Sequence, residues 1–214
     1  MLNIKRFVCN FFQENCYVVN DNTKQCVVID CGAYYTEEKA AIIDYIRNNE
    51  LTPQYLLATH AHIDHNFGNP AMFTEFGLKP SVSAKDEILM DTLAQQSEVL
   101  CHIKLDEEMP PVGAFFDENS IISFGTHQFK IISTPGHTPG SVFFYCEEEN
   151  IAFSGDTLFK MSIGRTDFDF GSFQDIQKSL EMIKHTLPLH TVIYPGHGSH
   201  TTLTDEVKHN PFMQ

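Results

Sequence analysis

The sequence predicts an α/β fold in which two β-sheets pack face to face and helices cover their outer faces. The first observation is a repeated order of elements, since strands, a helix, a strand and a histidine-bearing loop occur twice along the chain. The second is that candidate ligand residues follow strands, where the ligand sites of layered α/β folds gather. A chain of 214 residues can bury a full core, so we expect one domain over residues 1–214.

The first half of the chain is predicted to form two paired strands, a helix, a buried strand and a second helix. Asp21 and Asn22 lie between the paired strands and are typical of a hairpin turn. Thr36 is the predicted N-cap of the first helix, and Gly77 is the predicted end of the second. In chain order these elements cover residues 15–20, 25–30, 37–50, 55–58 and 70–76.

Residues 86–118 differ from both halves and are predicted to form an insertion between them. Ile88, Leu89, Leu93 and Val99 recur at helical spacing and indicate one helix, which is followed by an acidic loop with two prolines. This insertion is open to two interpretations. It is either a packing element or a lid over the site.

The second half repeats the pattern of the first. Ser172 is the predicted N-cap of its helix, with Asp175 three residues later. Apolar residues recur in this helix at steps of three and four, which predicts one buried face. They are Phe173, Ile176, Leu180, Ile183 and Leu187. The strands of this half are predicted at residues 121–124, 128–133, 141–146, 151–153 and 191–194.

Composition and charge argue against several classes of protein. With 14 basic and 28 acidic residues and no basic cluster, the chain lacks the cations that nucleic-acid phosphates require. No apolar run approaches the roughly 20 residues of a membrane helix. The N-terminal residues lack the features of a secretion signal, and the six cysteines form no Cys-x-x-Cys pair. We therefore expect a cytoplasmic protein with buried, reduced thiols and a small-molecule substrate.

Four candidate metal ligands lie within six positions directly after the strand at residues 55–58. His60 and His62 are two positions apart, so in an extended segment both side chains point to the same side. Asp64 and His65 are then free to turn toward a neighbouring ion. Imidazole and carboxylate groups are ligands of zinc and related metals. The His-x-His-x-Asp-His pattern therefore indicates a metal site and not four unrelated loop residues.

Three further candidate ligands, His137, Asp156 and His197, lie in separate loops of the second half. The loop of His137 is restricted by Pro135 and Pro139, which would hold one ligand in place. Asp156 directly follows a short strand, and its carboxylate has two oxygens with which to bridge two ions. Each of the three alone also fits an ordinary hydrogen-bonded loop residue. Together with the first motif they complete a ligand set for two ions.

With these motifs the chain resembles the metallo-β-lactamase-fold hydrolases, and most of all their glyoxalase II-like branch. The resemblance extends from residues 15–19 to residues 210–212. It implies a four-layer αβ/βα sandwich of two mixed β-sheets flanked by helices, with the metals at its edge. By motif, His60, His62 and His137 would hold one ion, Asp64, His65 and His197 would hold the other, and Asp156 would bridge them.

The resemblance also implies a mechanism and a cofactor. Two divalent ions, zinc in first place with iron or manganese as alternatives, would share a hydroxide because metal binding lowers the pKa of water toward about 7. That hydroxide would attack a thioester carbonyl, with Asp64 as the catalytic residue that orients it. No protein nucleophile is required, and the chain has no clear serine or cysteine triad.

Arg165 is the candidate substrate-binding residue. In glyoxalase II a basic residue at the matching position binds a carboxylate of the glutathione moiety, and an arginine fork suits a carboxylate. A salt bridge to Asp167 or Asp169 is the alternative role. The family has tyrosines where this chain has Asp167 and Ser199, and too few residues follow His197 for its C-terminal helical domain. An anionic thioester such as a hydroxyacylglutathione is therefore expected, with a smaller or different thioester as the open alternative.

Two other functions stay open. A persulfide dioxygenase shares the His-x-His-x-Asp-His pattern and would hold a single iron through His60, His137 and Asp156. A non-catalytic metal-binding scaffold is the second alternative, against which the complete ligand set argues. The identity of the metal and the oligomeric state do not follow from the sequence.

Overall fold

Two six-stranded mixed sheets form the centre of the molecule in a computed structural model that describes residues 1–214. Each half of the chain contributes one sheet and the helices on its outer face. The predicted fold class is therefore confirmed. None of the helices is both long and apolar enough to cross a lipid bilayer.

The first sheet and its helices come from residues 3–116. Its strands are β1 (Asn3–Cys9), β2 (Glu14–Asn20), β3 (Gln25–Ile29), β4 (Thr52–Leu57), β5 (Pro80–Ser83) and β6 (Ala114–Phe116). Its helices are α1 (Thr36–Asn48), α2 (Asn69–Phe76), α3 (Glu87–Asp91) and α4 (Leu93–Cys101). The strands lie in chain order across the sheet, antiparallel from β1 to β3 and parallel from β3 to β6.

The second sheet and its helices come from residues 121–209. Its strands and a small separate hairpin are β7 (Ile121–Phe124), β8 (His127–Ser133), β9 (Val142–Cys146), β10 (Ile151–Gly155), β11 (Leu158–Phe159), β12 (Ser162–Ile163), β13 (Val192–Pro195) and β14 (Thr201–Thr202). Its helices are α5 (Phe173–Thr186) and α6 (Leu203–His209). The strand order is β14-β13-β10-β9-β8-β7, and only β10 and β13 are parallel, while β11 pairs with β12.

The main core lies between the two sheets. Successive side chains of a strand point to opposite faces, so Tyr17 of β2 packs in this core while Cys16 and Val18 pack on the helix side. On the outer face of the second sheet, Leu180 and Ile183 of α5 are buried against β9 and β10. The layers therefore run helix, sheet, sheet, helix. Five of the six cysteines are buried, as the sequence predicts, and the sixth, Cys101, is half-buried.

Several predicted element ends are confirmed. Gly77 ends α2 in a left-handed conformation with a φ of 69°. Ser172 is the N-cap of α5, and its hydroxyl accepts a hydrogen bond from the Asp175 amide at 3.2 Å. The prediction of Thr36 as an N-cap is wrong, because α1 begins at Thr36 and its N-cap is Tyr35.

Residues 86–118, which were predicted to form an insertion, contain more structure than the one predicted helix. Its helical part is two helices, α3 and α4, which meet at Thr92, and the Thr92 hydroxyl donates to the carbonyl oxygen of Leu89 at 3.0 Å. Its last part is β6, which pairs with β5 at the edge of the first sheet. Strands β1, β5, β6, β11, β12 and β14 and helix α6 were not predicted, since they are short or lack a clear alternation of apolar and polar residues.

Candidate metal centre

The loop after β4 is oriented by Asp30, which directly follows β3. The Asp30 carboxylate accepts hydrogen bonds from the backbone amide and the hydroxyl of Thr59, both at 2.7 Å. The same hydroxyl lies 3.0 Å from Nδ1 of His60, and Nδ1 of His65 lies 3.1 Å from Asp30 Oδ2. One buried carboxylate therefore orients the rings of both histidines.

Two asparagines fix the backbone of the same loop. Nδ2 of Asn66 donates to the carbonyl oxygen of His62 at 2.7 Å, and Nδ2 of Asn10 donates to the carbonyl oxygen of Asp64 at 2.8 Å. Because these carbonyl groups are bonded within the protein, the side chains of His62 and Asp64 are left to line a common cleft.

Asp86 joins this loop to the loop of His137. Its carboxylate is fully buried and accepts hydrogen bonds from the Ala61 amide at 3.0 Å, the Thr138 hydroxyl at 2.7 Å and the Gly140 amide at 2.6 Å. Ala61 lies between His60 and His62, and Thr138 directly follows His137. The position of one ligand loop is thereby tied to that of the other.

The remaining ligand candidates are placed by backbone groups and by a bulge. Nδ1 of His137 donates to the carbonyl oxygen of Arg165 at 2.7 Å, and Nδ1 of His197 donates to that of Phe12 at 3.1 Å. Asp156 follows a register shift in β10 at Gly155, whose φ of 48° favours glycine. These contacts direct the other ring nitrogens toward one point.

The structure brings all seven predicted ligands together, in triads whose ligand atoms lie within 4.8 Å of one another. Each of these triads takes two side chains from the first half of the chain and one from the second. The triads are His60, His62 and His137; His60, His65 and Asp156; and Asp64, His65 and His197.

The inner atoms of these side chains face one another at short range. Nδ1 of His62 lies 2.8 Å from Nε2 of His137. Oδ1 of Asp156 lies 3.3 Å from Nε2 of His65, while its Oδ2 lies 3.6 Å from Nε2 of His137 and 3.5 Å from Nε2 of His197. The two carboxylate oxygens of Asp156 therefore face ligand atoms of two different triads.

Several of these inner atoms have no hydrogen-bond partner although they are buried. They include Nε2 of His60, Nε2 of His65 and Oδ1 of Asp156. An unpaired buried polar group costs about 1–3 kcal/mol, so a convergence of such atoms is unfavourable unless a cation binds there. Imidazole nitrogens and carboxylate oxygens are what a divalent transition metal binds. The residues present thus fit a pair of divalent metal ions.

Two rings of the first triad, those of His60 and His62, are uncharged at neutral pH because their pKa values are lowered. Burial, together with the neighbouring His137, lowers the pKa of His62 to about 3. Burial also lowers the pKa of His60 well below its ordinary value, with His65 and His137 acting in the same direction. The lone pairs of these rings are therefore available to a cation without loss of a proton.

Two histidines around Asp156, His65 and His197, differ from those two rings of the first triad, because their pKa values are raised instead of lowered. Burial opposes the protonation of His197, but the charge of Asp156 outweighs it and raises the pKa of His197 to about 10. The pKa of His65 is raised against burial by Asp156, Asp64 and Asp30. Burial would raise the pKa of Asp156, yet His65 and His197 hold it well below its usual range. Protons on the rings of His65 and His197 balance the carboxylate charge, and a cation bound between these groups would displace them.

Arg165 lies at the edge of the cleft, and its side chain is largely exposed. Its Nε and Nη2 each donate to a carboxylate oxygen of Asp167 at 2.9 Å. Its guanidinium carbon lies 4.2 Å from the ring centroid of Phe168. The side chain thus forms the salt bridge that the sequence left as an alternative. Its Nη1 does not donate to Asp167.

A cleft of about 390 Å³ opens onto five of the seven side chains, which are His62, Asp64, His137, Asp156 and His197. Its walls are mostly apolar and come from both halves of the chain. They include Phe12, Leu100, Cys101, Phe159, Ile163 and Phe168.

Comparison with known proteins agrees with this geometry. The profile of the "Metallo-beta-lactamase superfamily" matches residues 9–209. The chain belongs to the metallo-beta-lactamase superfamily. It is 34% identical to the hydroxyacylglutathione hydrolase GloC of Haemophilus influenzae, over 99% of this chain and 98% of that protein.

Two solved structures of the superfamily are similar over nearly their whole length. One is the BLEG-1 B3 metallo-beta-lactamase, with a TM-score of 0.87, 32% identity and coverage of 99% of this chain and 100% of that one. The other is TTHA1623 in a di-iron-bound form, with a TM-score of 0.86, 30% identity and coverage of 97% and 99%. Superfamily membership and the clustered histidines and aspartates together indicate a metal-dependent hydrolase.

The side chains that support the candidate metal ligands of this superfamily member were not predicted from the sequence. Asp30 had a visible signal, because it directly follows a buried strand, as the predicted ligand Asp156 does. Glu14 had none, yet it is fully buried, with neither carboxylate oxygen hydrogen-bonded, and its Oε1 lies 3.9 Å from Nδ1 of His65. Burial raises the pKa of Glu14 well above its usual range. Asp86 was also missed, since its contacts are with loops distant in sequence.

Proposed function

We propose that the chain is a thioester hydrolase that uses two divalent metal ions. The observation that carries this proposal is the convergence of seven histidine and aspartate side chains, of which His60, His65 and Asp156 have buried atoms without a partner within the protein. The thioester class is supported by the 34% identity to a hydroxyacylglutathione hydrolase over nearly the whole of both chains.

In this proposal each ion has a histidine-rich set of ligands and the two sets share a carboxylate. His60, His62 and His137 hold the first ion, Asp64, His65 and His197 hold the second, and Asp156 lies between the two sets. Two ions bound in this way would lower the pKa of a coordinated water toward about 7 and would polarise a carbonyl group. Zinc suits these nitrogen and oxygen ligands, and iron does too, as the di-iron-bound relative TTHA1623 illustrates.

Asp64 is the residue to which we assign the orientation of the attacking water. Burial would raise its pKa, but the charge of His65 and a hydrogen bond from His197 keep it lowered. An ionised carboxylate accepts hydrogen bonds only, so Asp64 holds a water with its hydrogens turned toward the carboxylate and a lone pair toward the substrate. Its Oδ2 lies 3.3 Å from Nε2 of His197, which places it at the floor of the cleft.

No side chain in the cleft is suited to act as a covalent nucleophile. Cys101 lines the cleft, but burial raises the pKa of its thiol, which therefore stays protonated at neutral pH. Hydrolysis by an oriented water is the reaction that the remaining groups support.

The insertion is assigned a packing role in this proposal. Oε1 of Gln96 in α4 accepts a hydrogen bond from the Ile63 amide at 3.0 Å, and its Nε2 donates to the Ala61 carbonyl oxygen at 3.1 Å. Helix α4 therefore supports the loop that carries His62 and Asp64. A lid that opens and closes would have to break these hydrogen bonds.

The test combines a metal assay with a substrate panel on the purified protein. We expect two transition-metal ions per chain and hydrolysis of thioesters, S-lactoylglutathione among them. Activity is expected to be lost in His197→Ala and kept in the matched control His200→Ala, because His200 is exposed and outside the triads.

Three results would contradict the proposal. One iron per chain with oxygen uptake on glutathione persulfide would indicate a dioxygenase. Hydrolysis of β-lactams but of no thioester would indicate a lactamase, the class named for the relative BLEG-1. Two bound ions with no turnover of any substrate in the panel would indicate a non-catalytic metal-binding scaffold.

A further inference from the structure

A second cavity, of about 250 Å³, adjoins the metal cleft. We call it the side chamber and define it by its apolar residues Leu89, Val99, Leu100, Phe168 and Phe170. It lies between helices α3 and α4 on one side and the loop before α5 on the other.

The side chamber and the metal cleft are continuous. Three residues, His62, Leu100 and Phe168, line both cavities. The ring of Phe168 packs edge-on against His62 at a centroid distance of 5.4 Å. A molecule bound over the metal ligands therefore has a path into the chamber past the rings of Phe168 and His62.

The chamber is lined by five apolar residues, three of which are exposed, and by five polar ones, His62, Thr92, Gln95, Gln96 and Asp169. Val99, Leu100 and Phe170 are 63%, 44% and 57% exposed, and contiguous exposed apolar side chains mark binding surfaces. Asp169 is the acidic residue in its lining, and no lysine or arginine lines it. Because the chain also carries a net charge of −14, an anionic group is disfavoured there.

One end of the cleft is better suited to release of the leaving group. His197 is the ligand candidate with the most exposed side chain, at 24%, and it does not line the chamber. A thiol that departs beside His197 would have a route to solvent, and the acyl part of the substrate would then be directed toward the chamber.

We propose that the side chamber binds the acyl chain of the substrate, and that this chain is apolar, aliphatic or aromatic. This inference rests on the proposed thioester hydrolysis and adds the class of acyl group. Each methylene buried in the chamber should raise kcat/KM by about fourfold, the equivalent of about 0.8 kcal/mol.

The kinetic test compares two series of thioesters. One varies the acyl group from acetyl to hexanoyl on a constant thiol, and the other varies the thiol on a constant acetyl group. We expect kcat/KM to rise with acyl length and not with thiol length. Val99→Asp should flatten the acyl series, with a loss of about tenfold or more for hexanoyl. The matched control Ala94→Asp, an exposed position of α4 outside the chamber, should keep the wild-type slope.

A binding test is independent of turnover and separates failure of this inference from failure of the proposed function. Calorimetric titration of the metal-loaded protein with acetate, butyrate, hexanoate and octanoate should show affinity rising with chain length and a heat-capacity change of increasing negative size. Val99→Asp should remove this trend and Ala94→Asp should not.

Several outcomes would overturn the inference. They are an affinity independent of chain length, a slope in the thiol series instead of the acyl series, or a slope that Val99→Asp leaves intact. A fourth outcome that would overturn the inference comes from light scattering. If Val99→Asp dissociates an oligomer that Ala94→Asp leaves assembled, the exposed apolar side chains are an interface between copies of this chain.

Discussion

Replacement of Asp86 by alanine removes the one acceptor shared by the two loops that carry His60, His62 and His137. The amides of Ala61 and Gly140 would be left buried without a partner. Each such loss costs about 1–3 kcal/mol, so Asp86→Ala should lower the free energy of unfolding by about 2–6 kcal/mol. The Thr138 hydroxyl adds little, because Ser141 Oγ lies 2.8 Å away as a second partner.

Urea unfolding of the metal-loaded protein, followed by circular dichroism, measures this loss. Metal content after dialysis should fall as well, since residues that support metal ligands typically contribute 10–100-fold to affinity, an order-of-magnitude range. Glu87→Ala is the matched control, because Glu87 is the next residue, is exposed, and should change stability by about 0.5 kcal/mol or less. If Asp86→Ala unfolds like Glu87→Ala and retains its metal, the bridging role of Asp86 is refuted.

The other predictions concern the ligands and the edge of the cleft. Asp156→Asn should lower metal content and reduce kcat by more than about 100-fold, because the carboxylate between the two sets loses its charge; unchanged turnover would refute its assignment. Arg165→Ala should raise KM for an anionic thioester more than for a neutral one, and Asp167→Ala, which releases the arginine fork, should lower it. Equal effects on both substrates would make Arg165 structural. The pKa of His197, a ligand of the second ion, is raised to about 10, so binding of that ion should release protons at neutral pH and strengthen as pH rises toward 10. The pKa of His62, a ligand of the first ion, is lowered to about 3, so binding of the first ion should show neither effect. Calorimetry in buffers of different ionisation enthalpy counts these protons, and equal release from both steps would contradict the prediction.

The ligand loops were predictable because their residue types and their positions agree. His60 follows a buried strand, and the residues around it repeat a pattern that has few uses other than metal binding. The helix at residues 173–186 was predictable for a similar reason, since its apolar spacing and its cap at Ser172 point to the same structure. Where two independent local signals coincide, a single sequence is enough to predict the structure of that segment.

The supporting contacts were not predictable because they depend on distances between segments far apart in the chain. Asp86 bonds to Gly140, 54 positions away, and neither residue stands out in its own segment. The side chamber is assembled from α4 and the loop around Phe170, which have no common pattern. The two helices of the insertion were predicted as one, because the break at Thr92 involves neither glycine nor proline.

Each of the three triads formed by the predicted ligands draws two side chains from the first half of the chain and one from the second. The bound ions would therefore act as cross-links between two sheets that are otherwise joined by side-chain packing and hydrogen bonds. Neither half expressed separately would contain a complete triad of this kind, so tight metal uptake should appear only when the two halves associate. Metal retention then becomes a gauge of how firmly the two sheets are docked, including in variants altered far from the ligands.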